Sequence, residues 1–222
     1  MPSKEKNLET IKFGDYLLLL NQYWNGGGET GGYLNTWGSE DGKTTFDKTT
    51  FGVRTSQDPD RDTITGDGTA LALTHRDSGT WKLEPIGSGS GPLKYGDKFR
   101  LVNLSLNVGY LETYVQDGES DMQVRARQEA LADHIDTETW QIEPIEKTSN
   151  NYFVQNGDTV KLVNHVHSGG ENKTVYLDTN GCPKGSEPGT YFVKTCQTAE
   201  RDRGSGTWQI IRRSPRDMPR TH

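Results

Sequence analysis

A chain of 222 residues with 25 Lys and Arg against 31 Asp and Glu carries a formal charge of −6 and has a pI near 5.4. That balance excludes the broad basic surface from which nucleic-acid binding draws its affinity, and no run approaches membrane-spanning length. Only 30% of the residues are hydrophobic while 26 are glycine, a composition suited to one domain of many short strands joined by polar turns.

In chain order, Met1 to Asn7 lack the apolar segment of an export signal, and Leu17 to Leu20 lie too deep and are too few. The chain is therefore expected to be cytoplasmic as synthesised, any release following a non-classical route. Next come Gly14-Asp15-x-x-x-Leu19-x-Asn21, Gly32-Tyr33-Leu34-x-Thr36, Val53-x-Thr55 and Gly79-Thr80-Trp81-x-Leu83. The same pieces return as Gly96-Asp97-x-x-x-Leu101-x-Asn103, Gly109-Tyr110-Leu111-x-Thr113, Val124 and Thr139-Trp140-x-Ile142. They return again as Gly157-Asp158-x-x-x-Leu162-x-Asn164, Tyr176-Leu177-x-Thr179, Val193-x-Thr195 and Gly206-Thr207-Trp208-x-Ile210. Such self-similarity signals repeat architecture.

Apolar residues two apart, as in Leu17-x-Leu19, Phe99-x-Leu101, Val160-x-Leu162 and each Trp-x-(Leu/Ile), share one face of a strand. The Gly-Asp pairs read as turns, with Asp15, Asp97 and Asp158 accepting nearby backbone N–H groups rather than acting as catalytic acids. Asn25 to Gly32 reads as a glycine-rich loop, and no Lys-Ser/Thr comes after it to make a phosphate cradle. Pro59, Gly66 and Gly68 mark an excursion, Gly87 to Pro92 a flexible connector between copies, and Arg127 to Asp133 a turn or two of helix. Arg212, Arg213, Arg216 and Arg220 read as a frayed, solvated tail. Cys182 and Cys196 flank one hairpin; a disulfide and two free thiols both remain open, the second favoured in a cytosolic protein.

Three copies of four strands resemble a β-trefoil, in which six strands close a short barrel and three hairpins cap it. The recurring Trp-x-(Ile/Leu) resembles the Gln-x-Trp element of ricin-B-type lectin domains, although Gly79, Glu138 and Gly206 replace the glutamine. The Gly-Asp-x-x-x-Leu opening and the endings Trp81 to Glu84 and Trp140 to Glu143 are more similar to MIR-type repeats. The resemblance implies an all-β, single β-trefoil domain over residues 1–222. Its repeats would span about 11–87, 93–146 and 152–212, with a tail at 213–222.

Motifs for acyl transfer, zinc proteolysis or nucleotide binding are missing, so no catalytic residue is expected. His165-x-His167 lacks a third ligand, so neither a metal nor a cofactor is expected. Trp24 and Trp37 fall outside the repeat pattern. They lie among Asn21, Gln22, Tyr23, Asn25, Tyr33 and Asn35, and a flat aromatic beside amides suits the C–H face and hydroxyl rim of a sugar. The third copy offers Asn164, His165, His167, Tyr176, Asp178 and Asn180; the second offers Asn107, Tyr110, Glu112 and Tyr114. The resemblance adds that trefoil lectins build such sites within each repeat. The expected function is non-enzymatic binding of glycans or glycoproteins at Asn21, Tyr23, Trp24, Asn25, Asn35, Trp37, Asn164, His165, His167, Asp178 and Asn180. The rival expectation is a module whose long loops dock another protein.

Overall fold

Alternation of inward and outward residues is the local rule that builds this molecule. In the computed structural model, Leu17, Leu19 and Asn21 are buried while Tyr16, Leu18 and Leu20 are half-buried on the other face. Phe99, Leu101 and Asn103 repeat the pattern. The structure describes residues 9–24, 31–37, 50–59, 77–105, 109–115, 122–128, 135–145, 152–168, 171–182, 188–199 and 201–214.

The elements are β1 (Tyr16–Asn21), β2 (Gly32–Trp37), β3 (Thr50–Ser56), β4 (Trp81–Pro85), β5 (Lys98–Asn103), β6 (Gly109–Val115) and β7 (Met122–Arg127). There follow α1 (Ile135–Glu138), β8 (Trp140–Pro144), β9 (Thr159–Ser168), β10 (Glu171–Asn180), β11 (Phe192–Cys196) and β12 (Trp208–Arg213). Neighbouring strands are antiparallel, and ten of the twelve form a closed circuit in the order β11, β3, β2, β1, β12, β9, β8, β5, β6, β7. The pairing Lys194↔Gln123 returns β7 to β11. β4 lies outside the circuit between β1 and β5, and β10 lies outside it between β9 and β11.

This corrects the expected β-trefoil. The strands expected to stand apart as capping hairpins are members of the barrel circuit itself: β2 pairs β1, β6 pairs β5, and β3, β7 and β11 pair across copies. The physical reason is that an unpaired strand edge leaves a row of backbone N–H and C=O groups to satisfy. Cross-copy pairs such as Thr50↔Arg127 and Phe192↔Arg54 satisfy them by closing the sheet.

The repeated residues do equivalent work within this barrel. Trp81, Trp140 and Trp208 are fully buried. Each indole N–H donates, at 2.9 Å, to the carbonyl of Leu34, Leu111 or Leu177 in its own copy. Asp15, Asp97 and Asp158 accept the backbone N–H of Lys12, Lys94 and Gln155 at 2.8, 2.9 and 2.7 Å. The glycine before each aspartate has φ of +91, +90 or +94°, a conformation that a side chain would strain. Asn21, Asn103 and Asn164 donate from Nδ2 to the carbonyls of Ser205, Ser78 and Thr137, stitching each copy to the one before it in the ring.

At the turn-bearing end three backbone bonds form a ring: Ile11 N–H to Val154, Val154 N–H to Leu93 and Leu93 N–H to Ile11. All three side chains are buried in the main core with the tryptophans. The connector 87–92 is tied to this end through Phe13 N–H to the Gly91 carbonyl and the bridge Lys12↔Pro92, so it is less free than its composition implies. The tail reading also needs correction at its start. Arg212 and Arg213 belong to β12; Arg212 pairs with Glu9 and Asp15, and Arg213 is 7% exposed against Thr80 and Asp77. Arg216 and Arg220 lie outside the described residues, as do most of the expected helical turn at 127–133 and Gly66 and Gly68 of the excursion.

Candidate functional site

Asn21 ends β1 and shapes the turn after it. Its side chain is fully buried, its Nδ2 donating to Ser205 and its Oδ1 accepting both Tyr23 N–H at 3.0 Å and the Thr179 hydroxyl at 3.2 Å. The chain therefore turns sharply and delivers Tyr23 and Trp24 to the surface. Trp24 N–H donates to the Arg203 carbonyl at 3.3 Å. Its side chain is 53% exposed. Tyr23 meets Tyr191 edge-to-face, with ring centroids 5.1 Å apart and planes at 73°.

Close backbone approaches hold these pieces together. A Cβ on Gly32 would stand 2.4 Å from the Gly189 carbonyl oxygen, and one on Gly204 would stand 2.9 Å from that of Gln22. Segments 22–24, 31–32, 188–191 and 203–204 thus converge on one end of the barrel. Phe192, 37% exposed, lies nearby in sequence with the Arg54 guanidinium 4.9 Å above its ring. This end presents an accessible indole beside the Tyr23 phenol and the Arg203 backbone, a chemistry suited to a shallow, weakly held ligand.

The other expected site residues divide sharply. Asn35 is fully buried, donating to Tyr33 and Asp58 carbonyls and accepting the Ser78 hydroxyl at 2.7 Å. Asn164 is fully buried against Thr137 and leaves its Oδ1 without a hydrogen-bond partner. In the first two copies that oxygen accepts a turn N–H, from Tyr23 or Ser105, but β9 runs on past Asn164 as a strand. His165 points the opposite way, exposed between the Thr174 hydroxyl at 3.2 Å and Gln141 Oε1 at 3.1 Å. Asn180 is half-buried at the end of β10 opposite Phe192. The third-copy set therefore does not converge. Trp37 and His167 hold strand positions opposite Gly52 and Asn172, and Asn25 lies outside the described residues.

Asp178 is the most perturbed of these groups. It is fully buried, with the Ser205 hydroxyl at 3.2 Å and Arg201 Nη2 at 3.1 Å. Burial pushes its carboxyl up to about 6, against the opposing pull of Arg201 and the Ser205 bond. Glu112 occupies the matching place in the second copy, fully buried beneath Arg125 and Arg127, the latter at 2.7 Å. Asn35, Glu112 and Asp178 all come directly after the leucine of the Tyr-Leu-x-Thr piece. That register was the available signal that they are internal stitches rather than ligand contacts. Sequence reasoning missed Arg203, whose carbonyl accepts the Trp24 N–H, and Tyr191, which packs on Tyr23. Arg203 carries no periodic signal, whereas Tyr191 stands two residues before the repeat valine, as Phe51 and Met122 do.

Among the described residues no group of three or more His, Cys, Asp or Glu could hold a metal. Cys182 and Cys196 are free thiols. Cys196 pairs with Tyr176 while Cys182 lies two residues past Asn180, so about six strand residues, on the order of 20 Å, separate them. No described helix is long and apolar enough to cross a membrane.

No protein-family model matches this sequence. No curated protein matches it either. Among solved structures, the chain is similar to a Caenorhabditis elegans protein of unknown function at 16% identity and TM-score 0.58, covering 95% of this chain and 98% of that one. It is similar to the SDF2-like protein from Arabidopsis thaliana at 10% identity and TM-score 0.55, covering 91% and 94%. A third likeness, at 15% identity and TM-score 0.58, is to the S. cerevisiae protein O-mannosyltransferase Pmt1-Pmt2 complex bound to the sugar donor; it covers 99% of this chain and 28% of that chain. At these identities the likeness establishes a shared all-β fold alone. The ricin-B-type and MIR-type β-trefoil lectin assignment is accordingly corrected, since neither a family match nor the strand circuit carries it.

Proposed function

We propose that this chain is a non-enzymatic carbohydrate-binding module whose principal site lies at Trp24. The observation that carries the reading is the contrast in burial. Three tryptophans are fully buried with their N–H groups bonded, whereas Trp24 stands 53% exposed on a turn fixed by a buried asparagine. A large apolar ring kept in water at the end of a rigid element costs hydration and suits stacking on a sugar C–H face. Half-buried Tyr23, backed by the buried Tyr191 ring, and the Arg203 segment stand beside it to meet hydroxyls. The yeast O-mannosyltransferase complex, part of which shares this fold, is bound to a sugar donor, and that supports the reading.

Asn21 and Asp178 serve this site indirectly by holding the 201–205 turn that bonds Trp24, and binding is weak because an open site leaves hydroxyls partly hydrated. A glycan array on the intact protein, followed by calorimetric titration of the best hit, tests the reading. Trp24→Ala should remove binding while leaving the melting transition in place. A blank array, or equal binding by Trp24→Ala, overturns it.

A further inference from the structure

The opposite end of the barrel carries a feature that glycan binding at Trp24 does not use. Phe13, Pro85, Ile86 and Pro92 line an open groove of about 470 Å³, together with the charged side chains Lys94, Lys98 and Asp97. Beside it Tyr152 is 75% exposed and Phe153 38%, two of the four large hydrophobic residues exposed among the described positions. Lys94 joins the two parts: it bridges to Phe153 in the backbone and sets its Nζ 5.9 Å from the Phe153 ring centroid.

The groove is preformed. Its floor rests on the ring of bonds among Ile11, Leu93 and Val154. One wall, the 87–92 connector, is pinned by Phe13 N–H to Gly91 and packed so closely that a Cβ on Gly89 would lie 2.9 Å from Pro85 Cβ. A rigid groove loses little entropy on binding. Its charge is also directed. Lys12, Lys94 and Lys98 are exposed, whereas Asp15 and Asp97 are half-buried and turned onto the N–H groups of Lys12 and Lys94. A chain of net charge −6 thus sets ammonium groups around an apolar floor here.

We propose that this groove docks an extended acidic segment of another protein, its apolar side chains lying over Phe13, Pro92 and Phe153 and its carboxylates meeting Lys12, Lys94 and Lys98. Charge complementarity selects this occupant. A sugar fits poorly because no Asn or Gln lines the groove to bond adjacent hydroxyls, and its one carboxylate, Asp97, is half-buried and accepts the Lys94 N–H. The chain would then engage a glycan at one end and a protein segment at the other.

Fluorescence anisotropy with three labelled short peptides on the full chain tests the proposal. The first alternates glutamate and leucine with one central proline; the second has lysine in place of glutamate, the third serine in place of leucine. The expected result is saturable binding of the first alone, weakened at least about tenfold in Lys94→Glu/Lys98→Glu and in Phe153→Ser, and unchanged in Trp24→Ala. Those side chains are exposed, so unchanged melting transitions certify the variants. The proposal is overturned if the first peptide does not bind, if the lysine or serine peptide binds equally, or if the charge-reversed variant binds normally. Binding of heparin hexasaccharide without binding of the peptide also overturns it, in favour of an anionic glycan. Because Trp24→Ala enters both experiments, failure of the glycan reading leaves this result distinguishable.

Discussion

Trp208 and Trp24 are the same residue placed under opposite physics. Trp208 is fully buried, its N–H satisfied by Leu177, and its neighbours Thr207 and Ile210 belong to a motif met three times. Trp24 is 53% exposed on a turn whose asparagine recurs in the second copy as Asn103 but whose tryptophan recurs in neither. The difference teaches that recurrence in this chain marks load on the fold, and departure from recurrence marks surface available for recognition.

The largest expected effect breaks the recurrent side of that contrast. Replacing Trp81, Trp140 or Trp208 by Ala removes a fully buried ring and a hydrogen bond, and should cost about 3–5 kcal/mol in urea melts. A loss below about 1 kcal/mol at any one of them would show that its copy relaxes around the void.

Next comes the stitch position that varies between copies. Glu112→Ala leaves Arg125 and Arg127, whose side chains are 20% and 16% exposed, without their shared carboxylate. It should destabilise by about 3 kcal/mol, more than Asn35→Ala, which strands only neutral groups. Equal losses would mean that the ion cluster adds nothing beyond hydrogen bonding.

Asp178 sharpens the comparison through pH. Its carboxyl, raised to about 6 by burial, keeps a proton that the unfolded chain releases near 4. The native state therefore binds more protons across that window. The resulting stability is fully present below about pH 4 and is lost as pH rises through about 6. Asp178→Asn, which installs the residue that the first copy has at Asn35, should flatten this difference, on the order of 2 kcal/mol between pH 4 and 7. Melts at both ends of the window check it; an unchanged pH dependence would assign the proton elsewhere.

Trp24→Ala should have the smallest effect on folding, within about 0.5 kcal/mol, as surface changes do. It should have the largest effect on glycan titration. A large stability loss there would move Trp24 to the side of the scaffold tryptophans.

Much of the scaffold was legible because its signals are short-range. A glycine needing positive φ, an aspartate reaching back three residues and apolar side chains two apart all act within a few residues, and Gly96-Asp97 to Leu101 shows them together. The candidate site was half legible. Trp24 stood out by failing the pattern, but Asn35 and Asp178 were read as ligand contacts although both faces of their strands are covered. Leu34 and Thr36 face the core side of β2 while Asn35 is sealed beneath Ser78 and Asp58. Polarity alone does not distinguish a buried stitch from a wet contact, since both need hydrogen bonds.

From residues alone came the all-β class, the turns and the inward leucines and tryptophans, each a property of neighbouring positions. Only the tertiary structure decided which strands meet across copies. Pairings such as Thr50↔Arg127 and Lys194↔Gln123 join positions about 70 residues apart or more, and it is these that turn the expected capped barrel into a closed ten-strand circuit. They depend on which edges remain unpaired after every local hairpin has formed, a condition written in no single segment.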